Sequence, residues 1–246
     1  MIERKPGVHS VRSVAELSNI LVERIVKRHS VLIIAAMFGL AAVSAQAAPL
    51  PETMARLMAV MPGTYDTIDQ VAAEAAQGTP EANCHERRHV IYARIDTPQI
   101  GPNVLFRQGR KGGPNGEIIA RGLAVFAPDT EANGIRMWLR NMPNAERFTD
   151  LHLKKELWGE VSFDSTYGGK CPFHWRLEAD TLVGTLLGGG CQITSNAGKA
   201  MPFDARWVVT SQSLSIFDNT YGAKGQLMSG RADKRPMSIQ DSRVKI

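Results

Sequence analysis

The sequence predicts an all-β chain: an antiparallel barrel or sandwich of about ten short strands, behind a short N-terminal helical segment. Three observations predict it. From His85 onward the apolar pattern changes from helical spacing to alternation, and turn residues separate most of the alternating runs. Helical stretches that could cross between parallel strands are missing. The composition, 43% hydrophobic and 22% charged with 22 Gly and 13 Pro, is that of an ordinary globular chain. It excludes collagen-like, disulfide-dense and largely disordered classes. With 246 residues, one large domain or two small ones can bury a core.

The chain opens on a leader pattern. Lys27, Arg28 and His29 precede an apolar run of 13 residues, Val31–Val43, and Ala45-Gln46-Ala47 puts small residues before Ala48. That order is the order of a secretory signal peptide. The run is shorter than the roughly 20 apolar residues a membrane helix needs. The expectation is a signal peptide over 1–47 with a long n-region, a single domain over 48–246, a periplasmic or secreted location, and no membrane span after cleavage. An uncleaved anchor is the alternative.

Apolar positions Met54, Leu57, Met58 and Met61 fall at helical spacing, with Thr53 as a possible cap, and Met61-Pro62-Gly63 ends that helix. A second short helix fits Ile68–Ala76, stopped by Gly78 and Pro80. The Met stripe reads as core packing. Strands then follow at 90–95, 103–108, 117–126 and 135–140, and Leu157–Phe163 reads as another. The arms 172–178 and 181–187 form a hairpin turning at Ala179-Asp180, and further strands fit 191–194, 202–209, 213–217 and 225–228. The polar tail from Arg231 is expected to fray.

Charge says little about partners. Residues 1–47 carry six basic and three acidic residues, so the chain's 29 basic and 24 acidic residues leave 23 and 21 for the body. Interspersed signs near balance give no electrostatic footprint for nucleic acid.

All three cysteines, Cys84, Cys171 and Cys191, follow the leader. In an oxidising compartment one pair should bridge, and three pairings are possible. Counting outward from the hairpin turn brings Cys171 and Cys191 nearly opposite, so that pair is favoured and Cys84 is left free. Without export, three free thiols are the expectation.

His85-Glu86-Arg87-Arg88-His89 matches the H-E-x-x-H zinc pattern. The pattern works on a helix, where both imidazoles share one face. Here a strand pattern starts at Val90 and no third ligand follows at suitable spacing, so the reading is a solvated strand start with no metal site. Cys84 with either histidine could hold an adventitious soft metal. No G-x-S-x-G elbow exists, Gly188-Gly189-Gly190 is a turn and not a phosphate loop, and Gln108–Gly116 reads as a hairpin tip.

Four segments carry a family resemblance: Leu57–Gln70, Val104–Gln108, Cys171-x-x-x-Trp175 through Gly184 to Cys191, and Ile216-Phe-Asp-Asn-Thr-Tyr221 with Gly225-Gln and Gly230. In order and spacing they resemble the CpcT/CpeT family of phycobiliprotein chromophore lyases. The resemblance implies a calycin or lipocalin-like barrel, a linear tetrapyrrole as ligand, and attachment of that chromophore to a cysteine of an acceptor protein. By position, Gln108, Asp218 and Tyr221 match family motif residues, and Arg121 matches a mid-barrel arginine. Asp218 is then the catalytic proton donor, with Gln108, Arg121 and Tyr221 as ligand-binding residues. The chain departs from the family at Arg107, where the family has Glu, and at Phe217-Asp218-Asn219-Thr220, where it has Trp-Asp-Arg-Gly.

Three functions fit this reading: an exported barrel binding a small apolar ligand such as a tetrapyrrole, an active bilin lyase, and a structural envelope protein with a filled barrel. Gln108, Arg121 and Asp218 are expected to point into one cavity.

Overall fold

The computed structural model describes residues 49–142, 146–194, 198–231, 233 and 236–241. The expected leader, 1–47, lies outside them. Two helices come first, α1 (Leu50–Val60) and α2 (Ile68–Ala76), with β1 (Gly63–Asp66) between them. The strands that follow are β2 (Arg88–Arg94), β3 (Val104–Lys111), β4 (Ile118–Asp129), β5 (Gly134–Asn141), β6 (Tyr167–Gly168), β7 (Phe173–Glu178) and β8 (Thr181–Leu186). Then come β9 (Cys191–Thr194), β10 (Ala200–Val209), β11 (Ser213–Tyr221), β12 (Leu227–Ser229) and β13 (Met237–Asp241).

Every ladder is antiparallel. From β1 they run through β2, β3, β4, β5, β7, β8 and β10 to β11, then β13, which pairs back onto β1. This is the calycin-like barrel, a ring of ten strands. Closure leaves no long exposed edge to recruit another chain. The short strands β6, β9 and β12 attach to β5, β10 and β11.

Alternation along each strand separates two apolar layers. Inward residues such as Tyr92, Leu105, Ala124, Met137, Trp175 and Trp207 form the barrel core. Outward residues Phe106, Leu123 and Val125 pack under the segment 146–161. In that segment Leu157–Phe163 is not the expected strand. Lys155–Glu160 coils as a 3-10 turn, Leu157 and Trp158 lean on the outer layer, and Trp158 Nε1 donates to Leu151 O at 2.9 Å. The tail does not simply fray either, because Met237–Asp241 forms a barrel stave.

Helix α1 closes one end of the barrel. Met54, Leu57, Met58 and Met61 enter the core, and the Tyr65 hydroxyl bonds the carbonyls of Val60 and Met61 at 3.1 and 2.9 Å. Thr53 is buried in this plug; it is not a cap, since its own N–H donates to Pro49 O. The interior near this end is filled by aromatic contacts of Trp207 with Tyr92, Phe173 and Trp175. Gly184 makes room for them: a Cβ there would meet the Trp175 ring at 2.7 Å. Cys171 and Cys191 are bonded, with Cα atoms 5.7 Å apart, and Cys84 is free.

Candidate functional site

The half of the barrel away from α1 is not filled. Arg94, whose Nη2 bonds Met58 O, marks the plugged end of β2, and Arg88 marks the other end. At the rise of a strand these residues stand about 20 Å apart. Around Arg88 the interior opens as a cavity of about 540 Å³. Tyr92, Trp207 and Ile216 supply its apolar wall, and Arg88, Arg107 and Asp218 its charge. His85, Glu86, Asn219 and Arg231 add to the polar side, so the lining is mixed, with polar and charged groups facing an aromatic and aliphatic wall.

Strand parity explains Arg88, Arg107 and Asp218. Arg88 and Tyr92 sit on β2 with the inward phase, Arg107 follows Leu105 inward on β3, and Asp218 follows Leu214 and Ile216 inward on β11. Arg88 Nη2 bonds Glu86 Oε2 at 2.6 Å. Arg107 Nη2 donates to Asn141 Oδ1 at 2.7 Å, while its buried Nε has no acceptor among the described residues. Asp218 is open to the cavity, yet the surrounding protein desolvates it and pushes its carboxyl pKa up, against the pull of Arg107 and Arg88. Burial likewise raises the pKa of the Tyr92 phenol.

Gln108, Arg121 and Asp218 do not share this cavity. Gln108 and Arg121 face each other across the β3–β4 ladder on the outer surface, under the covering segment. Gln108 Oε1 accepts from Arg121 Nε at 3.4 Å and from the Asp150 N–H at 3.0 Å, and its Nε2 donates to Asp150 Oδ1 at 2.6 Å. Arg110 bonds the same carboxylate at 3.2 Å. Burial works against the Asp150 charge, but the bonds from Gln108 and Arg110 prevail and hold its pKa below the usual value. Burial lowers the pKa of Arg121. The physical reason for the separation is parity: Gln108 neighbours Arg107 and so points to the opposite face.

Tyr221 is absent from the cavity wall. Its hydroxyl accepts from Asn219 Nδ2 at 3.1 Å, and Asn219 also holds both backbone groups of Arg231. A Cβ at Gly230, whose φ is +100°, would strike Asn219 Oδ1 at 2.0 Å, so glycine is required where this lock closes. Arg231 Nη2 then reaches Asn83 O at 2.6 Å, tying the two sides of the cavity rim together.

Of the H-E-x-x-H match, His85 and Glu86 line the cavity; both histidines are paired with carboxylates, while Glu86 is exposed. His85 is 8% exposed and lines the cavity. Its Nδ1 lies 2.5 Å from Glu74 Oε1, and its backbone N–H donates to Glu74 Oε2 at 2.6 Å. His89 instead meets Asp66 at 3.1 Å, beside Arg87. The two imidazoles bond different carboxylates, and the segment leads into β2, as the strand pattern indicated.

No family model and no curated protein match the chain. Among solved structures it is similar to the CRL protein of Arabidopsis, with a TM-score of 0.60 at 10% identity over 79% of this chain and 100% of that one. It is also similar to the T-type phycobiliprotein lyase CpeT from Prochlorococcus phage P-HM1, with a TM-score of 0.46 at 8% identity over 76% and 96%. The first likeness shows a common fold and nothing finer. The second is too distant to add to it.

Proposed function

We propose that the chain is an exported binding barrel that holds an apolar, carboxylate-bearing small molecule of the tetrapyrrole class in the cavity opposite α1. The observation that carries this reading is an open cavity in which Arg107 and Asp218 stand on the wall without pairing to each other. A guanidinium without a carboxylate partner suits a ligand carboxylate, and Asp218 suits ligand N–H groups. The apolar wall of Tyr92 and Trp207 suits a flat ring system. A filled structural barrel is disfavoured by the same cavity. Export is supported by the leader pattern and by the disulfide, which belongs to oxidising compartments.

The lyase reading, in which a chromophore is passed to a cysteine of an acceptor protein, is favoured by the raised pKa of Asp218 alone. A carboxyl kept protonated to higher pH is a better proton donor near neutrality. The test is titration of the mature chain with biliverdin, followed by absorbance. Saturable binding that Arg107→Ala weakens supports the binding reading. Transfer to an acceptor cysteine that Asp218→Asn abolishes would add the enzyme. No spectral change with any tetrapyrrole removes both.

A further inference from the structure

We infer that Tyr92 is the second donor to the ligand's carboxylate, beside Arg107, so that the ligand enters the barrel carboxylate end first; the inference rests on the ligand-binding reading above and orients its ligand. Tyr92 stands directly opposite Arg107 in the β2–β3 ladder, and both line the cavity. Side chains paired in this way have Cβ atoms roughly 5 Å apart. Tyr92 lies four residues deeper along β2 than Arg88 at the mouth, about 13 Å at the rise of a strand.

Tyr92 is 3% exposed, and its ring rests edge-on against Tyr65 and Trp207. Its hydroxyl keeps accessible surface on the cavity wall and has no partner among the described residues. A phenol buried to this degree needs a hydrogen-bond partner. Burial raises its pKa, so the hydroxyl keeps its proton and can donate it to an anion throughout the neutral range.

Asn141 fixes the neighbouring guanidinium by accepting from Arg107 Nη2. Gly122 stands opposite both residues in its two ladders, so Arg107 crosses bare backbone to reach Asn141. Arg107 Nη1 keeps accessible surface and has no partner among the described residues. The phenol and the Nη1 protons thus stand side by side on one wall without an acceptor. A carboxylate supplies two accepting oxygens and a charge that answers Arg107; a neutral carbonyl would leave that charge uncompensated. Asp218 lies two residues mouthward of Ile216, whose cross-strand partner Trp207 touches the Tyr92 ring. It therefore faces the part of the ligand behind the carboxylate, where N–H groups fit. Arg88 is paired with Glu86 at the mouth and is not required.

The experiment titrates biliverdin and its dimethyl ester into the mature chain and its Tyr92→Phe, Arg107→Ala and double variants, followed by absorbance. Tyr92→Phe removes only an unbonded hydroxyl and keeps the ring contacts, so it folds, and melting curves check this. The expected result is about tenfold weaker binding of biliverdin by Tyr92→Phe, the worth of a hydrogen bond to a charged group. The ester, which lacks the carboxylates, binds the parent and Tyr92→Phe alike. The double variant loses less than the product of the two single losses, because both donors serve one carboxylate. A biliverdin affinity indifferent to Tyr92→Phe, an equal loss for the ester, or single losses that multiply in full overturn the inference and leave the binding reading standing. A parent chain that binds no biliverdin also overturns it, and one that binds no tetrapyrrole removes the binding reading with it.

Discussion

Arg107 and Asp218 line one cavity, feel each other's charge, and form no ion pair. Two opposite charges held apart in a partly desolvated space define an orientation for a ligand that carries both acceptors and donors. Arg107→Ala is therefore expected to lower biliverdin affinity by about tenfold or more, the worth of a charge-assisted hydrogen bond. The dimethyl ester of biliverdin, which lacks the carboxylates, should bind the parent and the variant equally. Fluorescence or absorbance titration of both ligands checks it, and an equal loss for the ester would assign Arg107 a packing role.

The raised pKa of Asp218 has a consequence for stability. A carboxyl whose folded pKa lies above its unfolded value of 3.8 loses stability as pH rises through that window, because the folded state holds the proton longer. Above the window the charged carboxylate sits partly desolvated. Asp218→Asn removes that burden, so the variant should melt higher than the parent at neutral pH. The gap should shrink to nothing as pH falls to about the unfolded value. Melting curves from pH 3 to 8 check the sign, and a variant that melts lower at neutral pH would reject the account.

Strand parity shows how much of this was legible in the sequence. The strands β2 to β5 and β7 to β11 announce themselves by short apolar or alternating runs between turn residues. The staves β1 and β13 do not, since Gly63-Thr64-Tyr65-Asp66 follows a Pro-Gly turn and Met237–Asp241 follows a charged tail. Their pairing, Tyr65 opposite Asp241, joins the two ends of the domain and leaves no local signal. Asp218 lies in the cavity, but the outward placement of Gln108 and Arg121 was not legible for a related reason. Alternation places Arg107 and Gln108 on opposite faces, but β3 is apolar on both, with Leu105 inside and Val104 and Phe106 outside. Which face looks into the barrel is then decided by the covering segment 146–161, whose apolar residues read equally well as a strand. His85 was seen in its motif, but its partner Glu74 lies on another element.

The bond between Cys171 and Cys191 closes a separation of 20 residues across the β7–β8 hairpin. The chain-entropy estimate for such a loop is about 3 kcal/mol. The double variant Cys171→Ser, Cys191→Ser should lose about that much in urea unfolding, and less if the antiparallel ladder already restricts the unfolded chain. Thiol counting on denatured, non-reduced protein should find one reactive group, Cys84. Three reactive thiols would mean the bond does not form in the mature protein.

The buried network of Gln108, Arg121, Arg110 and Asp150 clamps the covering segment onto the barrel wall. Gln108 is fully buried, and its amide satisfies three polar groups at once. Gln108→Ala strips partners from Arg121 and from Asp150, and leaving buried polar groups unpaired costs roughly 1–3 kcal/mol. The loss should appear locally, as faster hydrogen exchange of amides in 148–161, before it appears in global melting. Arg121 is a second route to the same effect, since its Nη1 has no acceptor among the described residues and its Nε bond to Gln108 is long. Arg121→Met, apolar and similar in reach, should cost less than Gln108→Ala, because it removes a buried charge along with its hydrogen bond. Neither change touches the cavity wall, so tetrapyrrole affinity should stay within about twofold of the parent, as expected for distant, independent sites. A tenfold loss in either variant would restore Gln108 and Arg121 to the ligand site that the family resemblance assigned them.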